Sequence, residues 1–410
     1  MRGGLATVLA PYPEITLKGS RTVKDNTITL LATGDNIPSR PDYDSLYRHV
    51  APVLREADIT FGQVETVLID KAVEDLYPYV AAQARMPCSS DPGVAPGMKR
   101  GGFDIVSFAS NHSMDYGRTH FLNTIRYLRE AGLEVIGAGE SEEDARRFSV
   151  IERNGTKIAF LGYCSILPQD YWAQEARPGV NPARGHTYYE QIEHDQPGTP
   201  CRIHSWAHRE DRARMLEDIR KARMQADIVV VSMHWGIHFT EAEIAEYQVE
   251  YAHDAIDAGA DLILGHHAHI LKPVEVYKGK VIFYSLGNFA MEDPNNMVRD
   301  KMTLRQDMRS SKKHREMAAI RAGFGTGDTK KTFPGDCYYS MIARILIRDK
   351  RIERVSYLPV YIPEDFAPYI VEPADPLFEM INGYMKKINA AVGIPITYTV
   401  EGGEVVITGA

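Results

Sequence analysis

The chain lacks any run of about 20 apolar residues, the length a helix needs to cross a bilayer. Its first 20 residues hold only a short apolar stretch, broken by prolines, and no secretory h-region. A cytoplasmic protein without a membrane anchor is therefore expected. A basic excess is also missing. The 47 Lys and Arg are outnumbered by 55 Asp and Glu, for a net charge of -8. Binding a phosphate backbone requires a cationic surface, so no nucleic-acid partner is expected. Cysteine is scarce: Cys88, Cys164, Cys201 and Cys337 show no CxxC spacing. That argues against a disulfide framework or a zinc knuckle, and for thiols in a reducing compartment. Three catalytic signatures are absent: GxxxxGK[ST], a strand–GxGxxG–helix unit, and a GxSxG nucleophile elbow. Gly323–Gly327 is Gly-rich, but no apolar strand precedes it, so it reads as a flexible loop.

What the chain has is a repeated grammar of short apolar runs, each ending in a polar residue. Ile28–Thr33 ends at Gly34-Asp35, Ile59–Gly62 leads to Glu65, and Ile105–Ala109 ends at Ser110-Asn111-His112. Lys157–Tyr163 ends near Cys164, Ile228–Met233 at His234-Trp235-Gly236, Asp261–Leu264 at Gly265-His266-His267-Ala268-His269, and Val281–Leu286 at Gly287-Asn288. Such runs suit strands buried on both faces. Helical patterns lie between them at 43–56, 119–131, 212–225 and 241–258. The alternation predicts a layered α/β fold, with ligands gathering outside the carboxyl ends of the strands. With 410 residues, the chain has room for two or three units or one elaborated domain. We place one domain over 27–362 and a C-terminal helix and hairpin extension over 363–410. Two long segments without clear periodicity, 165–211 and the locally basic 291–335, both begin just after a strand end. They are expected to form cap or lid segments, since long irregular loops in a domain usually carry function.

The polar strand ends form a set: Asp35, Glu65, Asn111-His112, His234, His267/His269 and Asn288. Each has an ordinary reading alone. Asp35 and Asn111 suit turns, Glu65 a solvated edge, and His234, before Trp235, a core histidine. Together, at the same relative position on successive strands, they supply carboxylate, carboxamide and imidazole donors for one or two divalent transition metals such as manganese, zinc or iron. His-x-His also occurs in barrel amidohydrolases, but near the end of the first strand; here it arrives late and an Asp arrives first.

These segments resemble the CapA-type proteins, named after poly-γ-glutamate capsule synthesis (PGA_cap), whose fold is similar to the calcineurin-like metallophosphoesterases. The carrying residues are ThrGlyAsp at 33–35, GlyGlnValGlu at 62–65, SerAsnHisSerMetAspTyrGly at 110–117 and HisTrpGly at 234–236. The run from Asp257 to His269 and SerLeuGlyAsnPhe at 285–289 complete them. The resemblance covers about 27–290 and implies a layered metallophosphoesterase-like β-sandwich flanked by helices. It implies that Asp35 binds one metal, that Glu65 takes the bridging position, that Asn111 and His234 bind the second, and that His267 and His269 complete the two. His112 matches a non-ligand histidine that protonates a leaving group or steadies an oxyanion. His266, Trp235 and Asn288 are expected beside the ligands or the substrate. The chain departs from the pattern at three places. Ile37 stands where phosphoesterases have a histidine, Gln63 where Asn is common, and His238 near a usual acid. His238 is thus open as an extra ligand, a supporting group or a catalytic lid residue. Capsule-type members carry a membrane anchor.

The expected activity is hydrolysis of an amide or γ-glutamyl-type bond or of a phosphoester, on a small or peptide-like anionic substrate. Two alternatives stand beside it: a metal-dependent epimerase that removes a Cα proton, and a non-catalytic factor in polymer assembly. The sequence leaves oligomerisation open.

Overall fold

The computed structural model describes residues 26–38, 40–70, 88–292 and 335–409. The N-terminal segment, Gly323–Gly327 and nearly all of the basic 291–335 stretch lie outside them. The fold is mixed α/β, built around two large sheets. At the centre of the first, Ile28–Ile37 runs parallel to Ile59–Val64, which is followed by Ile105–Ser107 and Glu134–Ile136, all parallel. On the other side of Ile28–Ile37, Tyr339–Arg348 adds antiparallel, followed by Arg351–Tyr361 and the terminal hairpin Ile396–Glu401/Glu404–Gly409. The second sheet has the order Val274–Tyr277, Lys280–Phe283, Leu262–His266, Ile228–His234, Thr156–Cys164, Ser149–Arg153. Its middle four strands are parallel.

The continuous apolar runs are explained by what covers each face. Leu30, Phe61 and Ile105 of the first sheet share one core with Phe160, Val230 and Leu264 of the second. The Phe61 and Phe160 rings stack at 6.3 Å between centroids. Burying each such side chain contributes about 1.5–3 kcal/mol. The outer face of the first sheet packs against Leu46, Leu54, Met98 and Phe121 of its helices. The outer face of the second packs against Met215 and Ile219 of the Arg209–Arg223 helix and Tyr251 of the Glu246–Ala258 helix.

The structure departs from the sequence expectation at several boundaries. The single helix expected over 43–56 is two short ones, Tyr43–Tyr47 and Ala51–Glu56, the second starting with Pro52 in its first turn. The helix expected from 241 begins at Glu246. The strand expected to end at Leu264 continues through Gly265 to His266. The segment 165–211 has structure of its own. Gly185–Glu190 and Arg202–Ala207 form a hairpin that rests on the Glu246–Ala258 helix, where Glu246 and Glu250 accept from the backbone N–H groups of Ser205 and Ala207.

Two glycines bring the site-bearing strands together. A Cβ on Gly34 would stand 2.0 Å from the Gly287 carbonyl oxygen, and one on Gly265 2.2 Å from that of Tyr284. This closeness lets Asp35 N–H donate to the Gly287 carbonyl at 3.0 Å, and Leu286 N–H to that of Gly265 at 2.9 Å. Because backbone and not a flexible side chain is in the way, Gly34→Ala must push strands apart. We expect a loss of about 1–3 kcal/mol, the usual range for overpacking, read as a lowered midpoint in urea unfolding. An unchanged midpoint would refute the close-approach argument.

Candidate metal centre

The polar residues singled out in the sequence meet at the carboxyl ends of both sheets. Asp35 lies near the end of its strand, beyond an irregularity in pairing with Ile59–Val64, and is fully buried. Glu65 follows Val64 directly; its N–H donates to the Asn36 carbonyl at 3.1 Å, and its side chain is fully buried. Asn111 and His112 sit in a turn fixed by Ser110 Oγ, which accepts from the His112 N–H at 3.0 Å. His234 and His266 end neighbouring strands, in register with one another. After His266 the chain reverses. His267 and His269 have φ of 85° and 58°, left-handed backbone that non-glycine residues seldom adopt. Such strain is characteristic of functional sites.

Asn111 Oδ1 is 2.7 Å from His234 Nε2 and 3.1 Å from His267 Nδ1. Glu65 Oε1 lies 3.3 Å from His234 Nε2 and 3.9 Å from His269 Nε2. Asp35 Oδ2 accepts the His267 backbone N–H at 3.0 Å, and Asp35 Oδ1 stands 3.2 Å from His266 Nδ1. Asn288 Oδ1 faces His269 Nδ1 at 2.8 Å, while its amide nitrogen donates to the Cys337 carbonyl at 3.2 Å. Two groups of side chains, Glu65/His234/His267 and Asp35/Glu65/His269, could each hold a metal ion, and Glu65 belongs to both. Both Glu65 oxygens, Asp35 Oδ1, His234 Nδ1 and both His266 nitrogens are buried without a hydrogen-bond partner. Buried polar groups are normally satisfied. A cluster of orphaned donors and acceptors at 3–4 Å is therefore the chemistry a cation would complete.

The electrostatics agree with this. Burial and the neighbouring Asp35 push the Glu65 carboxyl up to about 7. Burial opposes the charge on Asp35 too, but His266, His234 and His269 outweigh it and hold its carboxyl below the usual range. Burial pushes the His234 imidazole down to about 4, and burial with His238 and His234 alongside holds His267 well down. His234 and His267 are thus neutral, lone-pair-bearing imidazoles at physiological pH.

The other expected residues fall into place around this cluster. The His238 ring stacks on His267 at 3.8 Å and lies 5.2 Å from His269. Trp235 is fully buried in the core behind His234, with its Nε1–H donating to the Tyr284 carbonyl at 3.0 Å. Ile37, in the position where a histidine was expected by resemblance, packs with Cys88 and Met291. The sequence reading missed Asp115. Its Oδ2 is 2.7 Å from His112 Nδ1 and accepts the Cys88 N–H at 2.8 Å, and its Oδ1 accepts the Tyr171 hydroxyl at 3.2 Å. Burial works against a proton on His112, but Cys88 and Asp115 outweigh it and hold the imidazole well above its ordinary value. The i, i+3 spacing of His112 and Asp115 was the available signal. These opposed environments predict that, in metal-free protein followed by NMR, the His234 ring stays neutral down to about pH 5.5, while His112 takes up its proton at a higher pH than a free imidazole. Titration of His234 near 6.5 would refute the assignment of a buried, neutral imidazole at this position.

Comparison with known proteins identifies the family. The family model described as bacterial capsule synthesis protein PGA_cap matches residues 19–293. The PGA biosynthesis protein CapA of Bacillus subtilis is 28% identical over 300 residues, covering 71% of this chain and 70% of that protein. The capsule biosynthesis protein CapA of Bacillus anthracis is 30% identical over 275 residues, covering 67% of this chain and 60% of that protein. A Mycobacterium tuberculosis protein described as a "Probable polyglutamine synthesis accessory protein" is 30% identical over 193 residues, 45% of this chain and 44% of its own. No helix among the described residues is long and apolar enough to cross a membrane. With the family model spanning most of the chain and the buried Asp, Glu and His cluster lying within the matched residues, the protein belongs to the bacterial capsule synthesis PGA_cap family.

Proposed function

We propose that the chain is a metal-dependent hydrolase on a metallophosphoesterase-like layered fold, acting on an amide or γ-glutamyl-type bond in preference to a phosphoester. The observation that carries this reading is Glu65: fully buried, with both carboxylate oxygens unpartnered, and shared by two ligand groups. A side chain whose role was packing would not leave two oxygens unsatisfied at a cost of several kcal/mol. Asp35, Glu65 and His269 would hold one divalent cation, and Glu65, Asn111, His234 and His267 a second. When bound, such cations supply Lewis acidity and a hydrolytic nucleophile at neutral pH.

The remaining work falls to the chain's own side chains. His112, oriented through Nδ1 by Asp115, is held protonated at the mouth and donates to the leaving group. Asn288 accepts from His269 Nδ1 and so leaves Nε2 as the lone pair facing Glu65. The stacked His238 covers the open side of His267 and would limit water entry. The preference for an amide rests on the biosynthetic and polyglutamine names of the relatives. Those names also support a second reading, an accessory role in polymer synthesis without turnover. The test is metal analysis of protein purified without chelator, followed by the loaded protein on γ-glutamyl amides, lactams and phosphoesters, with solvent deuterium as a check for epimerisation. Stoichiometric metal and hydrolysis of a γ-glutamyl amide are expected. Metal without turnover on any substrate would favour the accessory role, and absence of transition metal would end the hydrolase reading.

The metal claim has a pH signature. Glu65 must lose its proton to bind a cation, and in the metal-free state it does so near 7. Below that value protons compete, so affinity should fall up to about tenfold per pH unit between 7 and 5. Isothermal titration of manganese or zinc checks this, and Glu65→Gln should remove most binding. A second prediction separates His112 from the ligands. His112→Ala should retain the metal held by the Asp35/Glu65 cluster and lose about 10²–10⁴-fold in turnover, the usual contribution of a general acid. Full activity in His112→Ala would remove it from the reaction.

A further inference from the structure

Beside the cluster lies a second set of ligand-type side chains with different chemistry. Cys88, His112 and Asp115 offer a thiol, an imidazole and a carboxylate whose ligand atoms all lie within 4.8 Å of one another. The Cys88 thiol is hydrogen-bonded to the His112 side chain, and the Cys88 N–H donates to Asp115 Oδ2 at 2.8 Å. Cys88 and Asp115 are 3% and 2% exposed, whereas His112 is partly exposed, so the set is rigid behind and reachable in front. Ile37 and Met291 pack against Cys88, making an apolar wall beside it.

This is a sulfur, nitrogen and oxygen donor set, the combination that borderline-soft cations of the zinc class prefer over magnesium or calcium. The Asp35/Glu65 cluster holds no sulfur. Zinc-ligand bonds of 2.0–2.3 Å place tetrahedral donor atoms roughly 3.3–3.8 Å apart, so shifts of about 1 Å or less would close the three side chains around one ion. A nucleophilic role for the thiol fits less well, because burial beside Ile37 and Met291 pushes its pKa up and disfavours the thiolate. Asp115 keeps acceptor capacity on Oδ1, where the Tyr171 hydroxyl is its one recorded donor among the described residues.

We propose that Cys88, His112 and Asp115 form a separate binding site for a zinc-class divalent cation, and that occupation of this site withdraws His112 from proton donation. Binding replaces the proton on Cys88 Sγ and that on the coordinating His112 nitrogen, both released to solvent, with no change of oxidation state. The inhibitory consequence rests on the role proposed above for His112, whereas the binding itself does not.

The test uses Co²⁺ as the probe, because a cobalt–thiolate bond gives a near-ultraviolet charge-transfer band that carboxylate and imidazole ligands do not. The full chain carries Cys201→Ser, which removes the exposed thiol. Cobalt loading should then produce the band, and Cys201→Ser with Cys88→Ser should lose both the band and one bound cobalt per chain. Cys88→Ala repeats the measurement should the serine variant fail to fold by circular dichroism. Absence of the band in Cys201→Ser protein, or its survival once Cys88 is replaced, overturns the site. Excess Zn²⁺ should lower turnover at least tenfold in Cys201→Ser protein and leave the variant lacking Cys88 unaffected. Equal inhibition of both overturns the link to His112. Should no preparation turn over any substrate, the hydrolase reading fails while the cobalt band still decides the site.

Discussion

The structure depends on the burial of two carboxylates, Asp35 and Glu65, in one cluster where the strand ends of two sheets meet. Neither is exposed, and three of their four oxygens have no hydrogen-bond partner. An unpaired buried charge costs several kcal/mol even after relaxation. The fold offsets part of that for Asp35 by surrounding it with imidazoles, which hold it ionised, and leaves Glu65 to settle near 7. A chain that folds around such a cluster spends stability on it. The same desolvation that raises Glu65 lowers His234 and His267, so one physical cause prepares both kinds of donor. Carboxylate and neutral imidazole side by side, with water excluded, are the state in which these groups bind cations rather than protons.

Strain and close approach at the backbone follow from that requirement. Donors from six chain segments reach points within about 3–4 Å of one another, and the backbone approaches closely where they do. Gly34 and Gly265 let neighbouring carbonyls stand where a Cβ would be. His267 and His269 in left-handed backbone turn the chain across the mouth instead of away from it. The His267 N–H bond to Asp35 Oδ2 ties that reversal to the first strand, 232 residues earlier. Cluster and reversal therefore hold one another in place.

Much of this was legible in the sequence because it is carried by local pattern. The apolar runs marked the parallel strands of both sheets except the short Glu134–Ile136 and Asn288–Met291, the latter pairing parallel with Ile28–Ile37, and most of the polar residues at their ends lie in the cluster. The helix expected in the C-terminal extension is Pro376–Val392, where Asp375 caps it and Gly393 ends it in left-handed backbone. What failed was local information overridden by tertiary contact. Gly265 and His266 read as a turn because Gly and His break an apolar run, yet pairing with Ile228–His234 keeps them in the strand. The hairpin within 165–211 has no clean alternation because its two faces meet a helix at one end and solvent at the other. Asp115 was missed because a carboxylate in a turn is ordinary and its i, i+3 spacing from His112 is a weak signal alone; the approach of Cys88 and Tyr171 from distant segments completes its surroundings.

Two carboxamides show how position decides the work of one residue type. Asn288 has its amide nitrogen committed to the Cys337 carbonyl, so its oxygen must face His269, and that fixes which imidazole nitrogen carries the proton. It acts through another residue, as outer partners of metal-binding histidines do. Asn111 has the opposite arrangement, with its oxygen placed between His234 Nε2 and His267 Nδ1. A carboxamide oxygen is a weak neutral ligand that adds no charge to a cluster already holding two carboxylates. A third carboxylate at Asn111 would add another desolvated negative charge and raise Glu65 further. The neutral side chain at 111 is therefore what allows Asp35 and Glu65 to share one buried cluster, and Ile37, equally uncharged, packs with Cys88 and Met291 where a histidine would bring a further donor.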